Sequence, residues 1–536
     1  MRSHMGPKTL AICAAFVSVV AIIVVQGLLT DSSNGEEEEG ESFVVNGIHY
    51  RTLTQDTVGA YDYDDLLEEI VFPPYVIYKG NTYVVDSIGW DGYHEKVFNY
   101  IYIPETVTSI VQFTCELEIA VLIEISPLNP QFMCQDNVVY SADMTQLILY
   151  PYTKTDTSFT IPEDVSSIGE NAFADNYCLE EVWIGSNIQV IEYGAFLNCK
   201  NLKWINRTSI GNTLPEGLLA IEAMAFESTA LDDIHLPDTL HYIGEFAFYD
   251  TEIESLSIGI NTAYIGDNAF GSCTKLETIS ANNAYYCGEN GVLFKNHPET
   301  SERTLIQYAA GKKDPVYRIP EEVTNIGPLA FTGVQYLEEL VFPYSMTIVP
   351  PMAIQSATSL KKIVLTDSIL SVEENSFYRC QNLEEIEWGS YITAIGSSAF
   401  SSTNLTKLVL PDSVQYIGND SFSGIPELKS VYIPENVKYL GSYLFSQDFA
   451  IGDIEFAGPA PRMASMCLSI SEEDEEPFML HITVQKGFVL PDGAIDDNTI
   501  LTMDVKGQLP YPYENLIVVV LCLVAVILIL RFVKDV

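Results

Sequence analysis

The chain has 536 residues, with 73 Asp and Glu against 26 Lys and Arg, for a formal charge of −47 at neutral pH. So acidic a surface repels phosphate backbones and argues against nucleic acid as a partner. The length admits either several ordinary domains or one long repeat array.

From the N-terminus, the first element is the apolar run LAICAAFVSVVAIIVV at residues 10–25, behind Arg2 and Lys8 and ahead of the small residue Gly27. That order reads as a signal peptide over residues 1–27, or as an uncleaved anchor. An acidic linker follows at 28–42, including the EEEE run at 36–39, which reads as solvated chain. Residues 43–100 are rich in β-forming residues but atypical, and they are expected to cap one end of a core.

Over residues 101–456 a fixed pattern returns. Aligned on an IGxxAF core, it places Phe173, Phe196, Phe226, Phe248 and Phe270 in one run, then Phe331, Ile354, Phe377, Phe400, Phe422 and Phe445. Most steps are 22 or 23 residues, the period of a leucine-rich-repeat solenoid. In one repeat, Val182 and Ile184 would point inward along a short strand, and Glu181 and Trp183 outward. Pro162, without an N–H, would end the preceding ladder. Val165 and Ile168 would open the opposite wall, Gly169 would permit a tight corner, and Ala172 and Phe173 would fill the interior. No coil buries this set alone, so coils must stack; at about 4.8 Å per strand, roughly a dozen make a rod of about 55–60 Å. The fold expected is predominantly β: a curved, right-handed coil array. Two stretches, residues 129–160 and 282–318, interrupt the rhythm in the same way and read as strand pairs stacked within the array. The segment VPPMAI at 349–354 departs from the pattern and is expected to mark a local kink.

Residues 457–515 would form a second cap and a membrane-proximal stalk. The apolar run LIVVVLCLVAVILIL at 516–530 lies between Tyr511 and Tyr513 on one side and Arg531 and Lys534 on the other. Extended to Val533 it makes a transmembrane helix of about 27 Å, with a cytoplasmic tail at 534–536. The aromatic and basic flanks orient it as a single-pass type I membrane protein with the repeats outside the cell.

The chain holds no P-loop, GxGxxG, HExxH or GxSxG motif, and no CxxC or His/Cys spacing suited to zinc. Acidic pairs such as Glu180–Glu181, Asp232–Asp233 and Glu384–Glu385 could serve a glycosidase, but they recur at one repeat slot, where solvated charge is the expected filling. The expectation is therefore no enzyme, no cofactor and no metal. The variable outward positions are the candidate ligand site: Tyr100, Tyr102, Glu181, Trp183, Trp204, Asp233 and His235. Trp183 and Trp204, on adjacent coils, could form one aromatic platform for a protein hot spot or a sugar ring. The competing reading is that these rings only pack across strands. Sequons at Asn206, Asn404 and Asn419 are candidate glycosylation sites, and a glycan at Asn206 would partly cover the platform. Cys199, Cys273 and Cys380 share a slot three residues after the repeat aromatic, which suits buried structural thiols. Disulfides Cys115–Cys134 and Cys273–Cys287 are permitted by an oxidising compartment.

The recurrent IPxxVxxIGxxAFxxCxxL pattern, with GIHYRTL and YKGNTYVVDSIG near its start and NVVYSADMTQLILYPYTK in the first interruption, resembles the BspA-type leucine-rich repeats of bacterial and protist surface proteins. The resemblance covers roughly residues 43–456. It implies a secreted or membrane-tethered solenoid linked to adhesion and to binding of host or matrix components, and it carries over no catalytic residue. The expected partner is an extracellular protein or glycan. The alternative is a structural coat of laterally packed rods, associating through calcium.

Overall fold

The computed structural model describes residues 40–506, except 65–66, 90–97, 111–121, 210, 298, 301, 449, 471–477 and 497–498. The apolar runs at 10–25 and 516–533 and Cys115 lie outside the described residues. Among the described residues every regular element is a β-strand, and no helix is long and apolar enough to cross a membrane.

Each coil contributes to two parallel ladders. The longer strands form one: Ser158–Thr160, Glu181–Trp183 and Trp204–Ile205 pair in a register of one repeat, Phe159 beside Val182 and Val182 beside Ile205. The same ladder resumes in Val316–Arg318, Glu339–Val341, Lys362–Val364 and Glu385–Glu387, and again from Lys407–Val409 to Thr499–Val505. Two-residue strands form the second ladder, through Ser167–Ile168, Val190–Ile191, Ala220–Ile221, Tyr242–Ile243 and Tyr264–Ile265. The inward residue of most strands is β-branched or Leu and buried, as a surface closed on one side requires; Phe159 and Tyr317, in the strands that close the two interruptions, and Ile386 are half-buried. Between the ladders, the prolines start a turn that recurs along the chain: Pro162 accepts from the Val165 N–H and Pro237 from the Leu240 N–H, both at 3.1 Å.

The third wall is the segment around each repeat aromatic, and it is not a strand. The residues two before and two after the aromatic are left-handed, as at Asn171 and Asp175, Gly194 and Asn198, Met224 and Ser228, and Phe246 and Asp250. This alternation aims three N–H groups per coil at the next one. Asn171, Phe173 and Asp175 donate to the carbonyls of Tyr193, Ala195 and Leu197 at 2.8–2.9 Å. Left-handed backbone is costly for a residue such as Phe246; the forward hydrogen bonds and the burial they frame offset it.

Inside that wall the aromatics stack as a spine. Ring centroids are 4.8 Å apart for Phe173 and Phe196, 5.2 Å for Phe196 and Phe226, 5.2 Å for Phe226 and Phe248, and 5.7 Å for Phe248 and Phe270, with planes within 15° of parallel. Both interruptions keep the spine by supplying a tyrosine. Tyr150 stacks on Phe173 at 5.0 Å and Tyr308 on Phe331 at 5.3 Å. In each interruption three antiparallel strands lead into the shorter-strand ladder, Phe132–Gln135, Val138–Ser141 and Gln146–Leu149 in the first, and Tyr286–Glu289, Val292–Asn296 and Arg303–Tyr308 in the second.

Two sequence expectations acquire different reasons here. Gly169 does not sit at a left-handed corner; a Cβ there would lie 2.8 Å from the Leu147 carbonyl oxygen, and at Gly244 only 2.3 Å from the Ala223 nitrogen. The glycine admits the neighbouring coil's backbone. At VPPMAI the shorter-strand ladder breaks: Ile348–Val349 does not pair with Asn325–Ile326. Elsewhere the residue after this strand donates its N–H back one coil, as Gly327 does to Leu305 and Gly396 to Val372. Pro350 has no N–H to give.

The slot three residues after the aromatic serves the backbone. Cys199 and Cys380 donate their thiols to the preceding coil's Phe173 and Ile354 carbonyls, at 3.0 and 3.1 Å, while Thr229 and Thr403 bond within their own coil to Phe226 and Phe400. Asp448 occupies the same slot fully buried. Its Oδ1 accepts the Ile425 N–H at 2.5 Å, and Oδ2 has no partner among the described residues. Burial pushes its carboxyl from 3.8 up to about 9.

Two outcomes follow. Phe226→Ala opens a cavity in a spine with rings on both sides, and should cost about 3–5 kcal/mol by denaturant unfolding. For Asp448 the folded chain holds a proton that the unfolded chain releases between pH 3.8 and about 9, so stability falls as pH rises through that window. Asp448→Asn should be more stable than wild type at pH 8, by about 1–3 kcal/mol, and the advantage should vanish near pH 4.

Candidate ligand-recognition face

The outward side of the longer-strand ladder carries most of the candidate residues, and register decides which of them meet. Trp204 stands beside Glu181, not beside Trp183. The two indoles are therefore diagonal neighbours and share no ring contact among the described residues, so the continuous platform expected from the sequence is not formed. The shorter-strand ladder shows the contrast: Tyr242 and Tyr264 are in register and stack at 4.9 Å with planes 6° apart. Trp183 is 41% exposed and Trp204 half-buried.

Just after Trp204 the ladder is interrupted. The step from Phe196 to Phe226 is 30 residues, not 22 or 23, and the surplus forms an excursion over residues 206–212. It turns on Asn206, left-handed at φ 43°, and closes with a bridge between Thr208 and Gly211. Asn212, buried, plugs the gap: its Oδ1 accepts the Ile205 N–H at 2.8 Å, and its amide donates to the Lys203 and Asp233 carbonyls at 2.9 and 3.1 Å. Pairing resumes between Thr213 and His235. The Asp233 carboxylate accepts the Asn212 N–H at 3.1 Å, and His235 is exposed.

The excursion returns a cation to the ladder. The Arg207 guanidinium lies 4.4 Å from the centroid of Trp204, and the Lys203 ammonium 5.6 Å from it. Lys203 is also paired to Asp232 at 3.3 Å, whereas Arg207 has no carboxylate partner among the described residues. Neither Arg207 nor Asn212 stands out in the sequence; the long step is the signal that could have drawn attention to both.

The other expected residues fall elsewhere or have local roles. Tyr100 and Tyr102 lie on a separate three-stranded sheet, Glu69–Val71, Tyr100–Ile103 and Ile123–Ile125. Tyr100 donates to Glu124 at 2.8 Å, and that carboxylate raises the phenol above its ordinary range. Asn206 accepts the Ile184 N–H at 2.6 Å and Asn419 the Ser442 N–H at 2.9 Å through their side-chain oxygens; Asn404 is half-buried. Of the acidic slots, Glu338 pairs with Lys361 and Glu385 with Lys362, both at 3.0 Å across strands, and Lys362 also meets Glu387.

The proposed Cys273–Cys287 disulfide is absent. The Cys273 thiol is buried and bonds to the Phe248 carbonyl at 3.1 Å, while Cys287, half-buried on another element, donates to Glu289 at 3.1 Å. Cys134 is free and donates to the Ile123 carbonyl at 3.2 Å; its expected partner Cys115 lies outside the described residues.

A β-solenoid of stacked leucine-rich repeats with a variable outer ladder defines the class. The BspA type leucine rich repeat region matches residues 152–212, 207–297, 316–385 and 348–472, six copies covering more than half of the chain. The chain belongs to this family of surface proteins. Among solved structures, it is similar to a leucine rich cell surface protein from Faecalibacterium prausnitzii, at 23% identity over 78% of this chain and 96% of that one, with a TM-score of 0.43. The pneumococcal vaccine antigen PcpA is 18% identical over 87% of this chain and 100% of its own, with a TM-score of 0.38. A leucine-rich repeat protein from Eubacterium ventriosum is 20% identical over 70% and 94%, with a TM-score of 0.40. No curated protein matches.

The free thiols give a direct test. Alkylation of the native chain should label Cys134, Cys178 and Cys287 well before the buried Cys199, Cys273, Cys380 and Cys467. A non-reduced peptide map that joined Cys273 to Cys287 would contradict this geometry.

Proposed function

We propose that the chain is a cell-surface recognition or adhesion protein that binds a protein or glycan through the outward face of its longer-strand ladder, and that it performs no chemistry of its own. The observation that carries this reading is the division within each strand. Inward residues are mostly aliphatic and buried, and ladder backbone is engaged coil to coil. The outward side chains around Trp183, Trp204 and Arg207 differ from coil to coil and complete no interior. Exposed indole beside cations and hydroxyl or amide groups is the composition of binding hot spots.

Catalysis has less support. The repeated carboxylates at Glu338 and Glu385 are engaged with lysines on neighbouring strands, which is the behaviour of solvated surface charge. Tethering of the repeats outside the cell as a single-pass type I protein rests on the apolar run at 516–533 and its aromatic and basic flanks.

The test uses the full chain in detergent on arrays of glycans and extracellular-matrix proteins, beside a Trp183→Ala/Trp204→Ala variant. Selective capture weakened at least tenfold in the variant is the expected result. Capture unchanged by the double substitution would remove the site from this face, and no capture by folded protein would overturn the recognition role.

A further inference from the structure

The geometry points to an acidic-sugar site at Arg207, with Trp183 and Trp204 beside it: a subsite for a glycan terminus that carries one ring carboxylate. This assignment rests on the recognition function proposed above and names its ligand class.

Cations are scarce in this chain, and several are engaged by carboxylates. Lys275 pairs with Glu252 at 2.8 Å, Lys361 with Glu338 at 3.0 Å and Lys506 with Glu455 at 2.7 Å, and Arg303 is held between Glu289 and Glu322. Arg207 joins no carboxylate among the described residues. Asp232 is taken by Lys203, Asp233 by the Asn212 N–H, and Glu181 stands beside Trp204 on the adjoining strand. The guanidinium instead rests on the Trp204 ring, on an excursion whose closure is fixed by the buried Asn212. A guanidinium held over an indole has lost much of its freedom while its N–H fork remains without an acceptor among the described residues, and that fork matches a carboxylate with two parallel bonds.

The other half of the ligand is read from Trp183. Glu181 pairs with Trp204 and Val182 with Ile205, so continued register sets Trp183 against Asn206, the residue before Arg207. One strand spacing, about 4.8 Å, therefore separates an exposed indole from the strand that leads to the guanidinium. An indole face offers its surface to the C–H side of a sugar ring, and Asn206, Glu181 and His235 supply polar neighbours for hydroxyls. A peptide carboxylate is the weaker fit. Peptides commonly dock by adding a strand at a sheet edge or by filling an apolar groove, and beside Trp204–Ile205 the backbone groups at Lys203, Ile205 and Asp233 are already met by the Asn212 side chain. The surrounding acid also limits the ligand's charge: beyond Arg207 and Lys203 a second or third anionic group meets Glu181, Asp232 and Asp233. A polyanion is excluded and a single carboxylate is accommodated.

Calorimetry and tryptophan fluorescence on the full chain in detergent would compare 3′-sialyllactose, a disaccharide ending in glucuronic acid, lactose, and a short peptide with a free C-terminal carboxylate. The expected result is a preference of roughly tenfold or more for one of the two acidic sugars over lactose, weakening as salt is raised. The two acidic probes separate a sialic from a uronic terminus. Arg207→Gln should abolish that preference and leave binding at the level of lactose, with an unchanged thermal midpoint, whereas Trp183→Ala should weaken acidic and neutral sugar alike. Equal binding of lactose, a preference that survives Arg207→Gln, or a preference for the peptide would overturn the assignment. Array capture lost in Trp183→Ala/Trp204→Ala without preference for an acidic sugar would overturn this assignment alone. Absence of capture of every probe by folded protein would overturn both readings.

Discussion

Most of a coil's backbone can be hydrogen-bonded only by the coils on either side. A turn of about 22 residues closes few bonds within itself, and its interior is dry, so the N–H and C=O groups along its three walls must find partners one repeat away. Two walls meet this with parallel strands. The third meets it with alternating left- and right-handed residues of which every second N–H points forward, as from Phe173 to Ala195 and from Phe196 to Ala225, both at 2.8 Å. The stacked aromatics are a consequence. Once the backbones are locked at strand spacing, flat rings on one wall can only lie face to face, offset along the axis. The same spacing explains the glycines that admit a neighbouring backbone and the thiol or hydroxyl that follows several of the aromatics.

This constraint also decides where variation is allowed. A coil can lengthen only where its backbone leaves the ladders and returns in register. The interruptions at 129–160 and 282–318 return through a tyrosine that replaces the spine phenylalanine, keeping the stack at Tyr150 and Tyr308. The excursion at 206–212 returns through Asn212, whose side chain makes the bonds that a continuous strand would have made. Both devices preserve the interior and place new chemistry outside. The candidate face is therefore a by-product of how an irregular repeat is mended.

Much of this interior was legible from the amino-acid sequence because it rests on periodicity. The repeat length, the inward Val182 and Ile184, and the structural role of Cys199 and Cys380 all follow from a pattern repeated many times. What stayed hidden depends on exceptions or on backbone conformation. The left-handed positions are mostly Asn, Asp, Ser or Gly but also accept Met, Phe, Leu or Tyr, so composition marks them only in part. The break at Val349 needed the knowledge that the next residue's N–H bonds backward, a place where Pro350 cannot comply. The aromatic platform failed on a two-residue offset: adjacency of coils was readable, but which outward position faces which was not. Cys273 and Cys287 appeared pairable because equivalent places were compared along the chain, without the walls to which they belong. Arg207 was invisible, being one arginine in an insertion with no counterpart in other coils.

The acidity of the chain and an arginine with no carboxylate partner among the described residues are best understood together. Diffuse negative charge keeps parallel rods apart and discourages contact with other anionic surfaces, a repulsion that extends about 8–10 Å at physiological salt. Within that field a cation is ordinarily neutralised by the nearest carboxylate, as most lysines here are. Holding one guanidinium on an indole, with its neighbouring acids engaged elsewhere, creates a point of attraction with a short reach. Under the acidic-sugar assignment proposed above, anionic ligands would be discriminated by how few charges they carry, because a second anionic group would meet Glu181, Asp232 and Asp233. On that assignment, specificity would arise as much from the acids that repel as from the arginine that attracts.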